Sequence, residues 1–147
     1  MQILSVQEVE YAAHQLAREW MTWNEPIPDF GTRFPNILES CLAAPFQEFG
    51  GKSPYKGLVG KGAVLFYLLI KNHPFQNGNK RIAVASLLVF LFKNGKWINA
   101  DNTGLYNFAK WVAMSPSKVK GPTIAAVEQF VNGHLIGLEE THSKRKS

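Results

Sequence analysis

A short segment near the middle of the chain holds the side chains best suited to chemistry. Residues 73–81 are His-Pro-Phe-Gln-Asn-Gly-Asn-Lys-Arg. Histidine accepts and releases protons near neutral pH, which makes His73 a candidate general base. The pair Asn77-Gly78 is a tight-turn signal, and a glycine lets the backbone approach a ligand closely. The segment therefore predicts a base beside a turn that could hold a ligand.

Two cations follow this turn, at the predicted start of a helix. Lys80 and Arg81 would occupy the first helical turn, with Asn79 as the capping residue. A helix dipole is positive at that end and favours acidic side chains, so two cations there are unfavourable by themselves. A bound anion would remove the conflict, because backbone N–H groups, dipole and both cations would face it. The pattern predicts a phosphate site.

Each of these residues also has an ordinary structural interpretation. His73 could be a hydrogen-bonded histidine at a helix end, and Lys80 and Arg81 could simply be solvated. Asn-Gly is common in turns that have no function. The combination of all these residues in one short segment favours a functional site over the separate structural explanations.

Hydrophobic spacing indicates the helices that must position this segment. Ser5 and Glu8 fit a capping box, which predicts a first helix running to about Trp20. The glycine-rich stretch 45–62 is typical of a loop or short hairpin. We predict an all-α bundle of about six helices, with that flap or hairpin before the third helix. The later helices are expected at 34–42, 63–72, 80–93, from 102 or 103 onward, and 122–134.

Length and composition limit the class of protein. A chain of 147 residues suits one domain, which we place at 1–138, followed by a basic tail at 139–147 that we expect to be disordered. The net charge is +5, but three of the cations lie in that tail, so direct nucleic-acid binding is not expected. Cys41 is the only cysteine, which excludes an internal disulfide and favours a core role in a reduced cytoplasm. Neither a secretory signal nor a membrane-spanning run is indicated.

The segment 73–81 resembles the signature of the Fic/Doc family, His-x-Phe-x-Asp/Glu-Gly/Ala-Asn-Gly/Lys-Arg. It matches every fixed position except Asn77, where the family has Asp or Glu. The stretches 36–40 and 70–72 are also similar to the upstream pattern of Doc (death on curing) toxins. The resemblance covers most of residues 1–135.

This resemblance implies a role for each residue of the segment. His73 would be the general base that deprotonates a target hydroxyl, and Phe75 would anchor the loop in the core. Lys80 is typical of Doc-type proteins, whereas AMP-transferring Fic enzymes usually carry glycine there. The nucleotide and its phosphates would be held by Gly78, Asn79, Lys80 and Arg81.

For the Doc subgroup the implied reaction is transfer of the γ-phosphate of ATP to a threonine of translation elongation factor Tu, which arrests translation. The implied alternative is AMP transfer to a protein hydroxyl. Asn77 stands where an acid would hold Mg²⁺, so we expect weaker metal binding there, and a catalytically weakened binding module is a third alternative. The stretch 46–61 lies where the family has a flap that docks the target as an added strand.

Control by a separate partner is also implied. Many Fic proteins carry an inhibitory Ser/Thr-x-x-x-Glu-Gly/Asn helix, and neither Ser5 nor Thr123 begins such a motif. The resemblance therefore implies a cognate antitoxin.

Overall fold

The computed structural model describes residues 1–20 and 25–138. The first helix begins at the predicted capping box: the Ser5 hydroxyl accepts a hydrogen bond from the N–H of Glu8, and the Glu8 carboxylate accepts one from the N–H of Ser5. This helix, α1, consists of α-helical Val6–Tyr11, π-helical Ala12–Ala17 and α-helical Arg18–Trp20. Its small residues turn inward: Ala12, Ala13 and Ala17 are buried.

Five further helices lie in the described part of the chain, and three short 3₁₀ turns connect them. The prediction of an all-α bundle with about six helices is confirmed. The helices are α2 (Pro35–Ala43), α3 (Gly57–Lys71), α4 (Asn79–Lys93), α5 (Asn102–Met114) and α6 (Lys120–His134). The 3₁₀ turns are Phe30–Thr32, Ala44–Phe46 and Ser117–Val119.

The two central helices, α3 and α4, pack closely against each other in the core. The sequence prediction began α3 at Ala63, but the helix starts six residues earlier, at Gly57. Three of the five glycines that suggested a loop, Gly57, Gly60 and Gly62, are part of this helix, and Gly62 is buried in it. A Cβ atom on Gly62 would lie 3.2 Å from Leu87 Cδ1, so the missing side chain lets α4 approach. Packing therefore outweighs the low helix propensity of glycine.

A tight hairpin precedes α3, as predicted. Phe49 and Lys52 exchange two backbone hydrogen bonds, and Gly50 and Gly51 between them have φ angles of 60° and 77°. A two-residue turn of this kind requires positive φ at both positions, which glycine adopts without strain. The side chain of Phe49 is exposed. We call residues 46–56, which include this hairpin, the flap.

A small antiparallel sheet was not predicted. Strand β1 (Lys96–Ile98) pairs with β2 (Leu135–Gly137), with Lys96 opposite Gly137. Strands of three residues carry too little alternation to be recognised in a sequence. The proposed tail, 139–147, lies outside the described residues, and the domain assignment stays a prediction. Among the described residues, no helix is both long and apolar enough to cross a membrane.

Candidate active site

The loop between α3 and α4 carries His73 at its beginning. Lys71 ties the end of α3 to the end of α5, because its Nζ donates hydrogen bonds to the carbonyls of Ala113 at 3.1 Å and Ser115 at 2.5 Å. His73 then adopts a left-handed backbone conformation with φ of 51°, and its side chain is exposed. Histidine is among the few non-glycine residues that are enriched in this region. Such a conformation costs free energy and is often found at functional sites.

The middle of the loop is fixed to the core by two side chains. Phe75 is buried, with its ring centroid 5.8 Å from that of Phe30. The Asn79 amide makes two hydrogen bonds to the main chain of Phe75, accepting from its N–H at 3.0 Å and donating to its carbonyl at 2.9 Å. Asn79 is therefore the first residue of α4 rather than its cap, which corrects the prediction. The Asn79 amide hydrogen-bonds to the loop and does not cap the start of the helix.

Gly78 occupies the N-cap position of α4, and only a glycine fits there. Its φ angle is 71°, and a Cβ atom would lie 2.8 Å from the carbonyl oxygen of Pro26 and 3.0 Å from Ile27 Cδ1. The side-chain oxygen of Asn77 accepts a hydrogen bond from the N–H of Gly78 at 2.8 Å. Residues 25–27 are thus held directly against the turn that begins α4.

A cavity of about 500 Å³ opens at this turn. Five of the predicted site residues line it together: His73, Asn77, Gly78, Asn79 and Lys80. No side chain caps α4, and the first backbone N–H groups of any helix have no acceptor within the helix. The cavity therefore combines a histidine, a lysine and the positive end of a helix dipole, which suits a negatively charged ligand. The remaining lining residues are Glu25, Phe34, Ile70, Phe75, Gln76 and Ala113.

Arg81 points away from this cavity. It is only 7% exposed, and its guanidinium donates hydrogen bonds to the carbonyls of Ala17 in α1 and Glu25. Burial lowers the pKa of this guanidinium, the charge of Glu25 opposes that shift, and Arg18 adds to it. Arg81 therefore fastens α1 and the Glu25 loop to α4. The phosphate contact predicted for Arg81 stays a prediction.

Glu25 lines the cavity and was not identified from the sequence. Its side chain is 14% exposed, and Oε2 lies 3.4 Å from Nζ of Lys80. That oxygen is buried and accepts no hydrogen bond from any described residue. Glu25 lies far upstream of the segment 73–81, and no local motif surrounds it. Only the folded chain brings the two together.

The chain is similar to known proteins over part of its length. The sequence model of the Fic/DOC family matches residues 4–91, which include the whole segment 73–81. A protein of Mycolicibacterium smegmatis named Toxin Doc is 37% identical over 75 residues, which is 51% of this chain and 54% of that relative. The chain thus spans about half the length of the relative. No solved structure matches the chain.

Proposed function

Because the chain belongs to the Fic/DOC family and is similar to a Doc toxin, we propose that it is a Doc-like toxin that transfers the γ-phosphate of ATP to a hydroxyl of a protein target. The target we propose is a threonine of translation elongation factor Tu. The single observation that carries the proposal is the cavity in which His73 and the N-terminus of α4 meet. A general base and an anion site that share one cavity are what such a transfer requires.

The cavity residues have separate tasks in this reaction. The backbone at the start of α4 and Lys80 hold the phosphates and neutralise their charge, while the exposed imidazole of His73 faces the entering hydroxyl. The hydroxyl oxygen forms a bond to the γ-phosphorus as the bond from that phosphorus to the bridging oxygen breaks. ADP leaves with the electron pair, and the hydroxyl proton passes to Nδ1 or Nε2 of His73. Positioning and charge neutralisation dominate such reactions.

The residues of the cavity also fit a divalent cation. No group of three or more His, Cys, Asp or Glu that could hold a metal occurs in the described ranges, so a cation would need phosphate and water ligands. Mg²⁺ is commonly held in that way, by one or two protein oxygens together with substrate phosphates. The side-chain oxygens available in the cavity include those of Asn77 and Glu25. When bound, Mg²⁺ would supply positive charge to the phosphates.

The flap supports docking of a protein target. Phe49 exposes 67% of its surface at the hairpin, and residues 47–52 around it are all exposed. An exposed hairpin edge can bind an extended peptide as an added strand, with side-chain contacts giving specificity. Control of the toxin would fall to a cognate antitoxin, as the name of the Doc relative suggests.

Labelled ATP tests the reaction directly. The protein, Mg²⁺, elongation factor Tu and ATP labelled in the γ-phosphate should give a labelled factor, whereas ATP labelled in the α-phosphate should not. Label from the α-phosphate alone would favour AMP transfer instead. Absence of transfer from either nucleotide would contradict the enzymatic proposal and favour a binding module.

The matched variant for this assay is His73→Asn. Asparagine tolerates the left-handed conformation of residue 73, so the loop keeps its shape while the base is lost. We expect the transfer rate to fall by about 10² or more, with an unchanged free energy of unfolding. A variant as active as the parent protein would exclude His73 as the base.

A further inference from the structure

We infer that Glu25 supplies the charged oxygen ligand for a divalent cation, in place of the acid that Asn77 lacks. The inference rests on the proposed function, because the cation is expected to bind together with the phosphates of a nucleotide. Nothing in the sequence around Glu25 indicates this role, and it follows from where the fold places the side chain.

The position of Glu25 is fixed from three sides. The guanidinium of Arg81 donates to its carbonyl oxygen, and Gly78 packs against the carbonyl of the next residue, Pro26. Its carboxylate approaches Lys80 in the first turn of α4. The carboxylate is thereby held in the same cavity as Asn77, at the end of the helix where phosphates are proposed to bind.

The surroundings of the Glu25 carboxylate favour the binding of a cation. Oε2 of Glu25 is buried and accepts no hydrogen bond within the described residues, which is costly for a charged group. Its compensation is Lys80, at 3.4 Å. When phosphates enter the cavity, Lys80 has a second anion to neutralise, and Glu25 and the phosphates repel each other. A divalent cation that binds both would remove this repulsion and satisfy the buried oxygen.

The rival explanation is that Glu25 only competes with phosphate for Lys80. The two explanations predict opposite effects of Glu25→Gln. If Glu25 is a metal ligand, the variant loses the gain in nucleotide affinity that Mg²⁺ provides. If Glu25 is only a competitor, the variant binds nucleotide more tightly whether or not Mg²⁺ is present.

The experiment measures the affinity for a non-hydrolysable ATP analogue by calorimetry, with Mg²⁺ and with EDTA. We expect Mg²⁺ to tighten binding to the parent protein, and Glu25→Gln to reduce that gain by about tenfold or more, since even outer-shell changes at metal sites cost this much. Mn²⁺ titrated into the analogue complex and followed by electron paramagnetic resonance should show the same loss. Glu10→Gln, which removes an exposed carboxylate on α1 away from the cavity, should leave both measurements unchanged.

A rescue variant makes the test specific. Adding Asn77→Asp to Glu25→Gln returns one carboxylate to the cavity and should restore most of the Mg²⁺ effect. The inference is overturned if Glu25→Gln leaves that effect unchanged, if it tightens binding equally with and without Mg²⁺, or if Glu10→Gln reproduces it. A parent protein that binds the analogue under neither condition would overturn the proposed function and the inference with it.

Discussion

Replacing Gly78 by alanine tests the close approach between the Glu25 loop and α4. Two costs are expected. A left-handed conformation costs a non-glycine residue about 1–2 kcal/mol, and the φ angle of Gly78 is 71°. The new Cβ would also lie 2.8 Å from the carbonyl oxygen of Pro26, which is backbone and cannot rotate away. Overpacking of this kind costs about 1–3 kcal/mol, so the total is about 2–5 kcal/mol.

Gly95→Ala is the matched control, because it carries the cost of the left-handed backbone without the cost of overpacking. Gly95 has a φ angle of 79°, and a Cβ there would meet nothing within 4 Å. The difference between the two variants therefore isolates the contact with Pro26. Urea unfolding followed by circular dichroism measures both free energies of unfolding, provided that the m-value stays constant.

We expect Gly78→Ala to be less stable than Gly95→Ala by about 1–3 kcal/mol. Equal losses in the two variants would refute the argument, because the turn would then have room for a side chain. In that case the absence of a Cβ at residue 78 would not be what allows the Glu25 loop to lie against α4. Gly51→Ala, with φ of 77° and open space around it, provides a second measure of the backbone cost.

Two further predictions concern buried side chains. Arg81→Lys should lower the free energy of unfolding by about 1–3 kcal/mol in the same urea assay. A single ammonium group cannot replace the forked guanidinium, which donates to the carbonyls of both Ala17 and Glu25. An unchanged unfolding midpoint would contradict the role of Arg81 in holding α1 and the Glu25 loop against α4. Burial raises the pKa of Cys41 to about 11, against the opposing hydrogen bond from Asn72, so iodoacetamide should label it slowly near pH 8 in the native protein and quickly in urea. In the unfolded chain the thiol ionises from about pH 8.5. The contribution of the raised pKa to the free energy of unfolding is therefore present below that pH and is lost as the pH rises toward 11. Rapid labelling of the native protein would refute the burial argument.

The helices and their order were predictable, because long apolar stretches with a 3.6-residue period can be recognised in the sequence. The capping box at Ser5 and the stop at Asn94-Gly95 were local signals, and both ends lie where they were expected. The start of α3 was not predictable, because Gly57, Gly60 and Gly62 suggest a loop, and the packing of Gly62 against α4 is evident only in the folded chain. Propensity is a local quantity, while the reason for Gly62 is its close contact with Leu87 of another helix.

The candidate site likewise has one part that the sequence predicted and another that it did not. The sequence placed His73, Asn77 and Lys80 in one segment, and the structure brings them to one cavity. Arg81 follows Lys80 directly, yet successive helical residues point in different directions, and the second cation turns into the core. Glu25 was out of reach for the sequence, because its part in the site depends on a distant loop closing over α4.

The left-handed backbone at His73 also has a genetic consequence. A histidine codon becomes an asparagine or an aspartate codon by a change of its first base, and these residues tolerate the same conformation. One point mutation can therefore remove the proposed base and leave the folded surface intact. Under the proposed function, such alleles would escape selection against toxicity while still encoding a folded protein. Surveys of natural variants at this codon would find inactive copies enriched in these two residues.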